Sequence, residues 1–218
     1  MKQNDYVILL HGIFRTKRSM SSLEKYLSGK GYHVININYP SCKKPIAGLV
    51  EDVRKILTDS NLDEARKIHF IGYSLGGLIT RAYIKKYRPA NIGRVVLLGP
   101  PNQGSEVADF VEKFSLYRYL YGPAGQQLGT DQSRFSGLYG TIDYELGIIA
   151  GNYSIDPVSS LLLPGENDGK VSVERTKLQG MKDHITLPAT HTFMPSNKAV
   201  KYQAAHFIEY GMFLHGER

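Results

Sequence analysis

Residues 6–10 (Tyr-Val-Ile-Leu-Leu) are apolar without a break, and the run stops abruptly at His11-Gly12. An unbroken run of this length fits a central strand covered on both faces. Helical spacing follows over residues 19–28, with Met20, Leu23 and Leu27 in phase, and ends at Gly29-Lys30-Gly31. Residues 32–39, stopped by Pro40, predict a second strand. Residues 45–59 carry Ile46, Leu49, Val50, Val53, Ile56 and Leu57, an amphipathic pattern with Pro45 in the first turn.

The alternation then repeats. Residues 67–73 predict a strand, 75–87 a helix ended by Arg88-Pro89, and 94–98 another strand. Residues 145–150 predict a further strand, 161–163 the start of one more, and 186–193 a short strand with the loop after it. Residues 197–213 predict a closing helix. Strands alternating with helices indicate an α/β fold: a mostly parallel sheet, helices on both faces, right-handed crossovers. One segment breaks the rhythm. Residues 104–140 are too many for a simple connection; they hold a helical stretch, 107–121, and a Gly- and Gln-rich piece, 122–129. They are expected to form an insertion over the carboxyl edge of the sheet, as a lid or pocket wall.

At 218 residues the chain is expected to form a single domain, residues 1–218, with 104–140 as its cap. A hydrophobic content of 42% and a charged content of 22% argue against disorder or a fibrous repeat. The net charge of +7 is spread along the chain, with short clusters at 15–18 and 85–88 that read as solvated helix flanks. No nucleic-acid motif is present, so nucleic acid is not an expected partner. A membrane-surface role through the basic charge would require salt-sensitive binding to anionic vesicles. Cys42 is the only cysteine, which excludes an intrachain disulfide and suits a reducing compartment. The apolar run at 6–10 is too short for a signal-peptide core, so a cytoplasmic protein is the default expectation, and a processed secreted form the exception.

The sharpest chemical signal is Gly72-Tyr73-Ser74-Leu75-Gly76, set between a predicted strand and a predicted helix. A strand–turn–helix around G-x-S-x-G is a nucleophile elbow, whose strained turn lifts the serine Oγ above the sheet. Flanking glycines are needed where strand and helix leave no room for a Cβ. Ser74 also stands at a helix N-terminus, where backbone N–H groups and the helix dipole favour a developing oxyanion. The Leu75 N–H is one expected oxyanion donor. Gly12 lets the early loop approach closely, which makes the Ile13 N–H the other.

A serine nucleophile needs a base, and seven histidines are on offer. His11 reads as a loop-holding residue and His69 as a core residue; His33 bears no plausible relation to Ser74, and His206 and His215 fall in and after the last helix. Elbow hydrolases run in the order Ser, acid, His, which His191 satisfies best, with His184 the rival. The acid belongs between Ser74 and His191. Asp168, in Glu166-Asn167-Asp168-Gly169, is the first candidate, Asp156 the second, and Glu166 and Asp183 weaker ones.

These segments together resemble the α/β-hydrolase superfamily, in particular its bacterial lipases and esterases, over nearly the full length. His11-Gly12-Ile13, Gly72–Gly77, Gly99-Pro100-Pro101-Asn102-Gln103-Gly104-Ser105, Glu166–Val171 and His191 carry the resemblance. Pro100 stands where many such lipases have Thr. Phe193 stands where many carry a calcium-ligating Asp, so the resemblance implies no calcium site here, and neither metal nor cofactor is expected. It implies an ester or lipid substrate, with short to medium acyl chains favoured by the short chain length. Thioesterase, amidase and acyltransferase chemistry use the same residues and stay open, as does a non-catalytic binding protein that kept the fold. Oligomeric state has no signal in the sequence.

Overall fold

A computed structural model describes residues 4–216 apart from 61, 63 and 132–136, with residues 116–118 described by their backbone alone. Six strands are present among the described residues: β1 (Asp5–Leu10), β2 (His33–Ile37), β3 (Lys67–Tyr73), β4 (Ile92–Leu98), β5 (Leu146–Gly151) and β6 (Asp183–Leu187). They lie in the order β2-β1-β3-β4-β5-β6, each neighbouring pair parallel. Alternate residues of one strand serve opposite faces. Val7, Leu9, Ile71 and Val96 meet α1 (Ser21–Ser28) and α8 (Lys198–Tyr210) through Leu23, Leu27, Val200 and Phe207. Ile8, Phe70 and Val95 meet α2 (Ile46–Thr58) and α3 (Leu75–Tyr87) through Leu49, Val53 and Leu78. Burial on both faces explains why these strands read as continuous apolar runs.

The strand order places the site. From β1 the chain crosses to β2 on one side, then returns to β3 on the other. The connections leaving β1 and β3 therefore diverge at their carboxyl ends, which opens a crevice of the kind where open α/β sheets bind ligands.

The insertion departs in part from expectation. The stretch 107–121 is two helices, α4 (Glu106–Glu112) and α5 (Ser115–Gly125), and α5 is itself kinked at Gly122 (φ 63°) ahead of Pro123. Residues 132–136 of the insertion lie outside the described residues. Residues 161–163 do not begin a strand: they end α6 (Pro157–Leu162). Asp156 caps that helix by accepting the Ser159 N–H at 3.0 Å, and Pro157 opens its first turn. Pro45 sits at the N-cap of α2, one step before its first turn. A short helix, α7 (Val173–Thr176), precedes β6, which starts at Asp183.

His69 is a core residue, 5% exposed, and its Nδ1 accepts the Arg94 N–H at 2.9 Å. Burial pushes its pKa down to about 4. The unfolded chain, with an ordinary histidine pKa near 6.5, binds the proton more tightly than the folded one. Stability from this group is therefore complete above about pH 6.5 and declines as the pH falls toward 4, by about 3 kcal/mol in total. His69→Asn keeps an acceptor for Arg94 but cannot take up the proton. Urea midpoints measured between pH 7 and 4 should fall less steeply for this variant than for the wild type; parallel curves would mean that His69 does not contribute to the acid limb.

Candidate active site

Strand β3 ends at Tyr73 and α3 begins at Leu75, so Ser74 alone makes the turn. Its backbone lies at φ 54°, ψ −121°, a conformation that costs a non-glycine residue about 1–3 kcal/mol. Two hydrogen bonds hold it there: Ser74 N–H to the Leu98 carbonyl at 2.9 Å, and Gly77 N–H to the Ser74 carbonyl at 2.8 Å. The glycines are steric necessities. A Cβ on Gly76 would meet the Leu10 carbonyl, and one on Gly72 would lie 2.6 Å from the Gly76 carbonyl oxygen.

His191 follows β6 and reaches the serine from the far end of the sheet. Its Nε2 is 3.0 Å from Ser74 Oγ, and its Nδ1 is 2.7 Å from Asp168 Oδ2. The second carboxylate oxygen of Asp168 accepts the backbone N–H groups of Lys170 at 2.9 Å and Val171 at 2.8 Å. The histidine backbone is pinned as well: its N–H donates to the Asp168 carbonyl at 2.9 Å, and its carbonyl accepts the Tyr73 hydroxyl at 2.8 Å. Burial pushes the Tyr73 phenol up, which keeps it a donor. With a carboxylate at Nδ1, the imidazole proton belongs on that nitrogen and the Nε2 lone pair faces the serine hydroxyl. Such an arrangement can take a proton from Ser74.

The loop after β1 lies against the serine. A Cβ on Gly12 would come within 3.1 Å of the Tyr73 ring and 3.2 Å of Ser74 Cβ. Gly12 through Arg15 form a turn closed by Arg15 N–H to the Gly12 carbonyl at 3.3 Å, with Phe14 at φ 55°. The Phe14 ring stands edge-on to Tyr121 of α5, centroids 4.6 Å apart, which ties this loop to the insertion. His11 holds the loop from behind. Its Nδ1 is 2.8 Å from the Gly12 carbonyl, and its ring stacks on Tyr39 at 4.0 Å. The Tyr39 hydroxyl donates to the His11 carbonyl, and burial depresses the His11 pKa and keeps the ring neutral. The Leu75 N–H opens α3, among the N–H groups that a helix leaves without internal partners.

A cavity of about 150 Å³ opens beside Ser74 and His191. Ile13, Val107, Ala108, Leu128 and Val171 line it, so the insertion supplies part of the wall. A larger hollow of about 910 Å³ lies at the amino ends of the strands, among charged residues such as Arg66, Arg94 and Glu145. It contains none of the sequence-predicted site residues, and volume alone does not make chemistry.

The rival candidates are elsewhere. His184 is within β6, its Nε2 3.0 Å from Thr176 Oγ1. Asp183 starts that strand and accepts the Phe213 N–H at 2.7 Å. Asp156, the second candidate acid, caps α6 and pairs with Lys170 Nζ at 2.8 Å; that contact and those to Ser159 hold its carboxyl well below the usual range. Glu166 Oε1 accepts from Asn152 Nδ2 at 3.4 Å. Four residues at the site were not anticipated: Tyr73 through its hydroxyl, Lys170 and Val171 through their N–H groups, and Arg15, which lines the cavity. Tyr73 lies inside the elbow motif. Only the fold brings its hydroxyl to His191.

The sequence model of the palmitoyl protein thioesterase family matches residues 6–144, which include Gly12, Ile13 and Ser74 and stop before Asp168 and His191. A triacylglycerol lipase of Pseudarthrobacter phenanthrenivorans is 30% identical over 118 residues, 49% of this chain and 36% of that protein. The lysosomal thioesterase PPT2 of Homo sapiens is 25% identical over 134 residues, 56% of this chain and 44% of that protein. The chain thus spans less than half the length of these two relatives. The mature form of the Bacillus licheniformis lipase BlEst2 superposes with a TM-score of 0.76 at 20% identity, over 95% of this chain and 92% of that one. Among the described residues no helix is long and apolar enough to cross a membrane. With its parallel sheet, its serine turn and the family match over 6–144, the chain belongs to the palmitoyl protein thioesterase family, among the lipase- and esterase-type α/β-hydrolases.

Proposed function

We propose that the chain is a serine hydrolase that cleaves carboxylic esters of short to medium acyl chains through an acyl-enzyme. In this reading His191 takes the Ser74 proton while Asp168 fixes the tautomer and stabilises the imidazolium. Ser74 Oγ attacks the carbonyl carbon, and the N–H groups of Ile13 and Leu75 receive the oxyanion. The leaving alcohol takes its proton from His191; water, deprotonated by the same nitrogen, then releases the acid and frees Ser74. The observation that carries the reading is the run of contacts from Ser74 Oγ through His191 to Asp168, at 3.0 and 2.7 Å, opening on a cavity lined in part by apolar side chains. Residues 104–140 serve as the cap, through the side chains of Val107, Ala108 and Leu128.

Cavity size bears on the acyl group. A cavity of about 150 Å³ takes a molecule the size of benzene, which limits an acyl chain within it to roughly six carbons at most. Each methylene buried there contributes about 0.8 kcal/mol until the space is full. In a p-nitrophenyl ester series from acetate to palmitate, kcat/KM should rise to butyrate or hexanoate and fall well before palmitate. A steady rise to palmitate would mean that the cap moves aside, and the short-chain reading would fall. A second reading, thioester hydrolysis, is favoured by the family match over 6–144. The same acyl series as thioesters, run beside the oxygen esters, tests it: the larger kcat/KM at equal chain length identifies the leaving atom.

A further inference from the structure

The lining of the cavity beside Ser74 is of two kinds. Ile13, Val107, Ala108, Leu128 and Val171 make one of them, without a charge. Arg15, Tyr73 and Thr192 line the cavity together with His191. The Arg15 guanidinium interacts with the Tyr73 hydroxyl, the same hydroxyl that donates to the His191 carbonyl at 2.8 Å. Arg15 therefore lines the cavity in the neighbourhood of Tyr73 and His191. Its backbone is fixed there too, since the Arg15 N–H closes the turn on the Gly12 carbonyl.

The charges on the cavity are not equivalent. Lys170 also lines it, but its ammonium is held by Asp156 Oδ2 at 2.8 Å and Ser159 Oγ at 3.0 Å. Among the described residues no carboxylate pairs with Arg15, which is exposed to solvent. Lys17 and Arg18 beside it are exposed as well but line no part of the cavity. Arg15 thus stands apart from the solvated cluster in which the sequence places it.

In acyl transfer through a serine, the base gives its proton to the departing atom, so the leaving group lies on the histidine's side. The acyl chain is left to the apolar lining residues. We propose that Arg15 binds an anionic group on the leaving alcohol or thiol, so that the preferred substrates are esters or thioesters whose leaving group carries a carboxylate or a phosphate. The inference rests on the reading of Ser74, His191 and Asp168 as the reacting set. A planar guanidinium offers paired N–H donors to either anion, which a lysine at this place would not.

The experiment compares p-nitrophenyl butyrate with its ring-carboxylated analogue, each normalised to its hydroxide-catalysed rate, for wild type and Arg15→Gln. The readout is the ratio of kcat/KM for the anionic ester to that for the neutral one, so that any loss common to both cancels. The wild type should favour the anionic ester by about tenfold, the scale of one hydrogen bond to a charged group. Arg15→Gln should lose that preference, Arg15→Lys should keep part of it, and added salt should erode it in the wild type. A phenyl butyrate bearing a phosphate in place of the carboxylate, run in parallel, shows which anion is taken better. Hydrolysis of the neutral ester with a ratio that Arg15→Gln does not move overturns the leaving-group inference and leaves the hydrolase reading standing. Turnover of none of these esters removes the hydrolase reading, and the inference with it.

Discussion

Ser74→Ala is expected to lower ester turnover by roughly 10⁴–10⁶-fold while leaving the fold intact. The fold is preserved because Ala meets the same backbone demand at φ 54° as Ser does, and the two main-chain hydrogen bonds to Leu98 and Gly77 need no hydroxyl. What disappears is the atom that attacks. His191 and Asp168 stay in place but His191 has no proton to accept, so adding His191→Ala to Ser74→Ala should cost almost nothing more. That non-additivity separates a reacting set from a row of independent contacts. Circular dichroism and a melting curve like those of the wild type, with turnover lost, are the expected pair of observations. A Ser74→Ala protein that kept a tenth of the wild-type rate would place the nucleophile elsewhere.

Asp168→Asn is expected to lower kcat by about 10⁴-fold, and the hydrogen bonds say why. Asp168 Oδ1 accepts two backbone N–H groups, from Lys170 and Val171. In the variant those donors must keep facing the amide oxygen, so the NH₂ group takes the Oδ2 place opposite His191 Nδ1. An amide N–H there donates to Nδ1 and drives the imidazole proton onto Nε2. The nitrogen that should accept the serine proton then already holds one. Asp156→Asn is the control: Asn is as good an N-cap as Asp, and the carboxylate it replaces bonds Ser159 and Lys170, not His191. Normal turnover for Asp168→Asn and a large loss for Asp156→Asn would exchange the two assignments.

The parts of the molecule legible in the sequence are those whose signal is local. Strand β3 and helix α3 have the predicted limits, because a largely apolar strand meets a glycine-flanked turn there and Arg88-Pro89 ends the helix. Residues 161–163 misled because three leucines in a row read as a buried strand, while the Asp-Pro pair at 156–157, a helix-start signal, lay in plain view. The break between α4 and α5 has no comparable punctuation in sequence. Choosing among the acids is harder still. Order along the chain favours Asp168, but its nearness to His191 depends on β5 pairing with β6, a contact set by the whole sheet. Tyr73 and Arg15 have the same difficulty: their roles come from partners that lie far from them in sequence.

The separation between Ser74 and His191, 117 residues along the chain, has a consequence for biosynthesis. At about 5–20 residues per second, a ribosome makes His191 roughly 6–23 s after Ser74. Strands β1 to β4 and the serine turn are all encoded before β5 and β6, which bring in Asp168 and His191. In the proposed mechanism the nascent chain carries, for that interval, a hydroxyl without its base. The contact is completed only when the last two strands join the sheet, so on the proposed mechanism the growing polypeptide stays unarmed until its own folding is nearly done.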